Sequence, residues 1–119
     1  MSHIDKIKAL FRAIDAKDSA AFASFLNGDA VFRFGNAPAV AGRDAIRAAV
    51  EGFFGSIKSL AHRAPDIWEV GDHIIARGEV TYTRHSDSTL TVPFCNVFGM
   101  RGDLIRSYDI YVDVSQLYT

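Results

Sequence analysis

The sequence predicts an α+β fold: three N-terminal helices packed on a strongly curved, mainly antiparallel sheet. Three observations carry this expectation. Apolar residues recur at helical spacing through most of the chain up to Lys58, and from His62 onward they alternate instead. The alternating half is cut only by Gly71-Asp72, Ser86-Asp87-Ser88 and Arg101-Gly102-Asp103, which are hairpin-sized. The length of 119 residues, 49% of them apolar, suits a single domain over 1–119 with one core.

The elements follow in order. Ile4, Ile7, Leu10, Phe11 and Ile14 mark one face of an amphipathic helix, with Ser2 and Asp5 as a box-like cap. Asp18 caps a second short helix presenting Phe22, Phe25 and Leu26, which stops near Asn27-Gly28, a pair suited to positive φ. Ala30-Val31-Phe32-Arg33-Phe34 is β-branched and aromatic and reads as a strand; Gly35-Asn36-Ala37-Pro38 then reads as a loop. Ile46, Val50, Phe53, Phe54 and Ile57 predict a third helix over Arg43–Lys58. Ala61–Val70, His73–His85, Thr89–Met100 and Leu104–Asp113 read as four strands in an antiparallel meander. Asp113, with Gln116 behind it, is placed to cap a terminal helical turn over Val114–Tyr118.

Composition excludes several functions. Thirteen basic and 14 acidic residues leave a net charge of −1, and no run of like charge forms a footprint for nucleic acid or an anionic membrane. A lone cysteine, Cys95, forms no internal disulfide, and with four scattered histidines it supplies no metal framework; a reducing, cytoplasmic setting is expected. No signal-peptide pattern or membrane-length apolar run is present, and no cofactor motif stands out. A small apolar molecule is the expected partner. In Thr89–Met100 one face carries Leu90, Val92, Phe94, Phe98 and Met100, yet Cys95 and Val97 lie on the other. Two burial surfaces are implied, and a homodimer through the outer face of the sheet is expected.

The order of elements is accompanied by particular residues: Asp29-Ala30-Val31-Phe32, the loop Gly35-Asn36-Ala37-Pro38 with Gly42-Arg43-Asp44-Ala45-Ile46, and His62 ahead of Trp68. Gly78 to Thr83, Val92-Pro93-Phe94 and Ile105 to Asp113 continue the pattern. Together these resemble the nuclear transport factor 2-like superfamily, and the SnoaL-like branch most. The resemblance implies a cone-shaped fold with a pocket between the concave sheet and the helices. That superfamily includes polyketide cyclases, ketosteroid isomerase, scytalone dehydratase, limonene epoxide hydrolase and non-catalytic members, so activity must be argued from the site.

Asn36 matches the asparagine of the limonene epoxide hydrolase water site. Phe34 falls at its tyrosine and Ile110 at its aspartate, so that route lacks a general base. Ile110 likewise replaces the acid/base carboxylate of a SnoaL-type aldol cyclase. Arg77 and Glu79 are two apart and share a strand face; enclosed, Glu79 is a candidate base with Arg77 beside it, and exposed they form a surface ion pair. His62, Asp66 and Trp68 are read as sharing a face, an imidazole at one end of a pocket walled by an indole. Tyr108, Ile110 and Val112 read as pocket lining, and Asn96, between Phe94 and Phe98, needs a partner in the protein or a ligand. The leading expectation is acid/base cyclisation, isomerisation or hydration. Glu79 or His62 would move protons, and Asn36, Arg77, Asn96 or Tyr108 would polarise oxygen. The alternative is a binding or dimerisation module whose pocket is closed.

Overall fold

The structure, a computed structural model, describes residues 2–118. The Ser2 hydroxyl accepts from the Asp5 backbone N–H at 3.0 Å and starts α1 (His3–Asp15), which buries Ile7, Leu10, Phe11 and Ile14. Asp18 caps α2 (Ser19–Ser24) in the same way, accepting from the Ala21 N–H at 3.0 Å.

The expected turn at Asn27-Gly28 is absent. Strand β1 (Leu26–Phe34) starts at Leu26, which is fully buried and pairs in parallel with Ile105; the Ile105 N–H donates to the Phe25 carbonyl at 2.9 Å. Polar Asn27-Gly28-Asp29 lies within a register irregularity between Leu26 and Val31, so burial of Leu26 overrides local turn preference. The expected loop contains a short strand, β2 (Val40–Ala41), antiparallel to β1, and Pro38 falls just ahead of it where no ladder bond is needed. Helix α3 (Arg43–Gly55) buries Ile46, Val50 and Phe54. It ends before Lys58 because the Lys58 N–H donates to the Thr83 carbonyl at 2.9 Å, beside the sheet.

Four strands then meander: β3 (Ser59–Val70), β4 (His73–Thr83), β5 (Thr89–Arg101) and β6 (Leu104–Val112). The six-stranded sheet has the order β2-β1-β6-β5-β4-β3, with only β1 and β6 parallel. It curls without closing, and the helices cover its concave face. Residues 115–118 form turns and no helix. Asp113 accepts from the Ser115 N–H at 2.9 Å, and Arg84 draws the Gln116 and Leu117 carbonyls to 2.9 and 2.8 Å, removing acceptors a helix would use.

One irregularity decides which side chains face inward. Ile74, Ala76, Val80 and Tyr82 of β4 are buried, which leaves Ile75, Arg77, Glu79 and Thr81 on the outer face. In β3, Arg63 lies opposite Glu79 but Asp66 lies opposite Arg77, so Ala64-Pro65 together face Gly78. The extra residue inverts the alternation. His62, opposite Val80, points inward; Asp66 and Trp68, opposite Arg77 and Ile75, point outward, which corrects the expectation that the three share a face. Gly78 is required here, since a Cβ would lie 1.8 Å from the Arg63 carbonyl oxygen. Gly78→Ala is therefore expected to cost about 2–4 kcal/mol in denaturant unfolding. Gly28→Ala, with nothing within 4 Å of the added Cβ, is expected to change stability by no more than about 0.5 kcal/mol. Equal stability of the two variants would contradict the bulge.

Candidate functional site

The bulge turns His62 toward the C-terminal end of α1, where Asp15 meets it twice. One Asp15 carboxylate oxygen accepts the His62 backbone N–H at 3.0 Å, and the other lies 2.6 Å from Nδ1. A carboxylate accepts hydrogen bonds and donates none, so in the neutral imidazole Nδ1 carries the proton and Nε2 is the acceptor. Nε2 has no hydrogen-bond partner among the described residues. The imidazole stacks on Phe11 at 4.9 Å between centroids and meets Phe94 edge-on at 5.4 Å, so its plane is fixed by packing as well.

His62 forms part of the wall of a cavity of about 40 Å³ between the helices and the concave sheet, together with Phe34, Tyr82, Asn96, Tyr108 and Ile110. Asn96 is 1% exposed, and its Oδ1 has no hydrogen-bond partner among the described residues. Burial pushes the Tyr82 phenol above its ordinary range, with Tyr118 adding to the shift, and pushes Tyr108 up further, with Tyr82 and Asp15 adding. Both hydroxyls therefore stay protonated and able to donate. A second apolar hollow of about 200 Å³ lies beside the first and shares Phe32, Phe34, Val50 and Phe53 with it. The Phe34 and Phe53 rings, 5.1 Å apart, stand in the wall common to both.

Of the residues singled out by sequence, Phe34, His62, Asn96, Tyr108 and Ile110 meet at this cavity. Asn36 is exposed in the turn after β1, where Gly35 adopts φ +56° and its N–H donates to the Ile110 carbonyl at 2.9 Å. Val112 is half-buried against the core but outside the cavity wall. Trp68, Arg77 and Glu79 lie on the outer face. Arg77 pairs with Asp66 at 2.9 Å and sits 5.4 Å from the Trp68 ring centroid, while Glu79 pairs with Arg63 at 3.4 Å. Of the two readings of Arg77 and Glu79, the enclosed one does not hold, and on the outer face they pair not with each other but across the ladder with Asp66 and Arg63 of β3. Cys95, expected to be buried, is half-exposed on the same outer side. Sequence reasoning missed Asp15, which is 47 residues from His62 and reads locally as a helix-end acid. Among the described residues no three His, Cys, Asp or Glu side chains converge on a metal-sized site, and no helix is long and apolar enough to cross a membrane.

A curled, unclosed sheet with a cavity between it and three helices defines a nuclear transport factor 2-like α+β protein. The chain belongs to the SnoaL-like domain family, whose model matches residues 7–108. It is similar to a nuclear transport factor 2-like protein of unknown function from Burkholderia pseudomallei, with a TM-score of 0.88, 15% identity, and 98% of this chain and 95% of that one covered. A putative SnoaL-like polyketide cyclase from Jannaschia superposes with a TM-score of 0.85, 15% identity, and 98% and 89% coverage. An epoxide hydrolase of limonene type from M. tuberculosis gives 0.83, 16% identity, and 98% and 86% coverage. At these identities the likeness establishes the fold. No curated protein matches the chain.

Proposed function

We propose that this protein binds a small, largely apolar carbonyl or polycyclic compound and carries out an acid/base isomerisation, cyclisation or hydration on it. The observation that carries this reading is the Asp15–His62 pair, held at 2.6 Å on the wall of an apolar cavity. In this mechanism Nε2 of His62 takes a proton from carbon beside the carbonyl, and the electron pair moves onto the carbonyl oxygen. The Tyr108 hydroxyl donates to that oxygen, and the Asp15 carboxylate faces the imidazolium that forms. Glu79 and Arg77 take no part, since they face away from the cavity. Epoxide hydrolysis is not proposed despite the shared fold: Phe34 and Ile110 on the wall accept no proton from water, and Asn36 lies outside. The lone cysteine is consistent with a reducing, cytoplasmic setting.

One observation favours the second reading, a non-catalytic module with a closed pocket. The inner cavity of about 40 Å³ is far below the roughly 300 Å³ at which drug-sized sites begin. Against it, a core closed by evolution toward packing has no reason to keep the orphaned oxygen of Asn96. Native mass spectrometry for a copurified compound, followed by turnover of that compound, separates the two. His62→Gln is expected to lower kcat by about 10²-fold or more, and Glu79→Gln to change it by less than about twofold. Full activity in His62→Gln would remove the catalytic reading.

We propose in addition that two copies pair through the outer face of the sheet. Trp68 and Tyr111 are 45% and 62% exposed there, with Ile75 and Val97 half-buried in the same cross-strand row as Trp68. Sedimentation equilibrium at micromolar concentration is expected to give twice the 13.1 kDa chain mass, and Tyr111→Glu to reduce it. A monomer for the unaltered chain would exclude the pairing.

A further inference from the structure

The inner cavity and the outer hollow share Phe32, Phe34, Val50 and Phe53, and the rings of Phe34 and Phe53 close the wall between them. At about 40 Å³ the inner cavity is too small for a carbonyl compound as it stands. The outer hollow, about 200 Å³, exceeds the roughly 150 Å³ in which a protein interior takes up benzene. A ligand passing from the hollow to His62 must therefore displace part of the shared wall. Phe32 and Val50 are each 7% exposed and packed into the core. Phe34 ends β1 in register with Ile110, and the next residue, Gly35, donates to the Ile110 carbonyl, so the backbone there is fixed on both sides. Phe53 differs from these three. It is half-buried in the last turn of α3, between Gly52 and Gly55. An added Cβ would meet nothing within 4 Å at either glycine, and neither adopts a positive φ, so neither is needed for fit or for a turn. Glycine inside a helix weakens it relative to alanine, which leaves the turn that carries Phe53 easy to unwind. On its solvent side that turn is held by exposed hydrogen bonds, His85 Nε2 to the Gly55 carbonyl at 3.0 Å and the Ser56 hydroxyl to the Tyr118 hydroxyl at 2.8 Å. Bonds of this kind open first.

We infer that Phe53 is the door of the site: unwinding of the last turn of α3 at Gly52 and Gly55 swings its ring away and joins the outer hollow to the His62 cavity, admitting an apolar carbonyl compound of about one ring. In the closed position the ring lies 5.1 Å from Phe34 and 5.9 Å, edge-on, from Tyr82. The inference rests on reading the cavity as a small-molecule site, and it gives Phe53 a part in access and size selection, distinct from the proton transfer assigned to His62.

The test follows 4-fluoroacetophenone by ¹⁹F exchange spectroscopy with the intact protein, which reads an entry rate without turnover. The bound probe is expected to show nuclear Overhauser effects to the His62 ring protons in the unaltered protein. Phe53→Ala is expected to speed entry at least 10-fold. Gly52→Ala combined with Gly55→Ala is expected to raise the melting temperature and to slow entry at least threefold; this variant decides alone if Phe53→Ala does not fold. Failure of the probe to bind, binding that never reaches His62, or an entry rate unchanged in either variant would each overturn the inference. Entry that depends on Phe53 in a protein whose turnover is indifferent to His62→Gln removes the catalytic reading alone. Turnover that depends on His62 with entry indifferent to both variants removes the door alone.

Discussion

Across the β3–β4 ladder, Ala64 and Pro65 oppose the single residue Gly78, and the arrangement of the interior depends on that mismatch. With an unbroken alternation His62 and Trp68 would face the same side. The extra residue keeps His62 under α1 and turns Asp66, Trp68 and their partner Arg77 to the outside. Proline at the bulge gives up an N–H where the ladder is already interrupted, and glycine opposite it admits the Arg63 carbonyl. Two backbone-special residues thus separate an interior that carries chemistry from an exterior that carries ion pairs.

Asp15 depends on the same geometry. A carboxylate in the last turn of a helix opposes the macrodipole, at a cost of about 0.3–1 kcal/mol. Two hydrogen bonds to one residue, each of a kind contributing about 1.5–3 kcal/mol when a charge is involved, outweigh that cost where the pair is mostly shielded from water. The two bonds fix the backbone and the ring of His62 together, and Phe11 and Phe94 complete the support. Tyr108 and Asn96 reach the same cavity from β6 and β5, the two arms of one hairpin, and meet His62 of β3 there.

Much of this was legible in the sequence, for local reasons. Capping residues and apolar spacing mark α1 and α2, and alternation with short turns marks the meander. Asn96 stands out because Phe94 and Phe98 flank it on a buried face. The parity of β3 was not legible, because one inserted residue leaves the alternation on either side intact while exchanging its faces. That is why Trp68 was expected in the pocket and why Arg77 and Glu79, partnered across the ladder by Asp66 and Arg63, were open to either reading. The start of β1 at Leu26 was hidden by Asn27-Gly28, whose turn preference yields to parallel pairing with Ile105. Asp15 carries no local mark at all, since its role exists only once α1 lies across β3.

Asp15 holds the neutral His62 ring in the Nδ1–H tautomer and leaves Nε2 without a proton, on a residue of the cavity wall. Long-range ¹H–¹⁵N spectra of the imidazole in its neutral form test it directly. A proton on Nδ1 and none on Nε2 is expected, with the preference lost in Asp15→Leu. A proton on Nε2 in the unaltered protein, or a tautomer indifferent to Asp15→Leu, would contradict it.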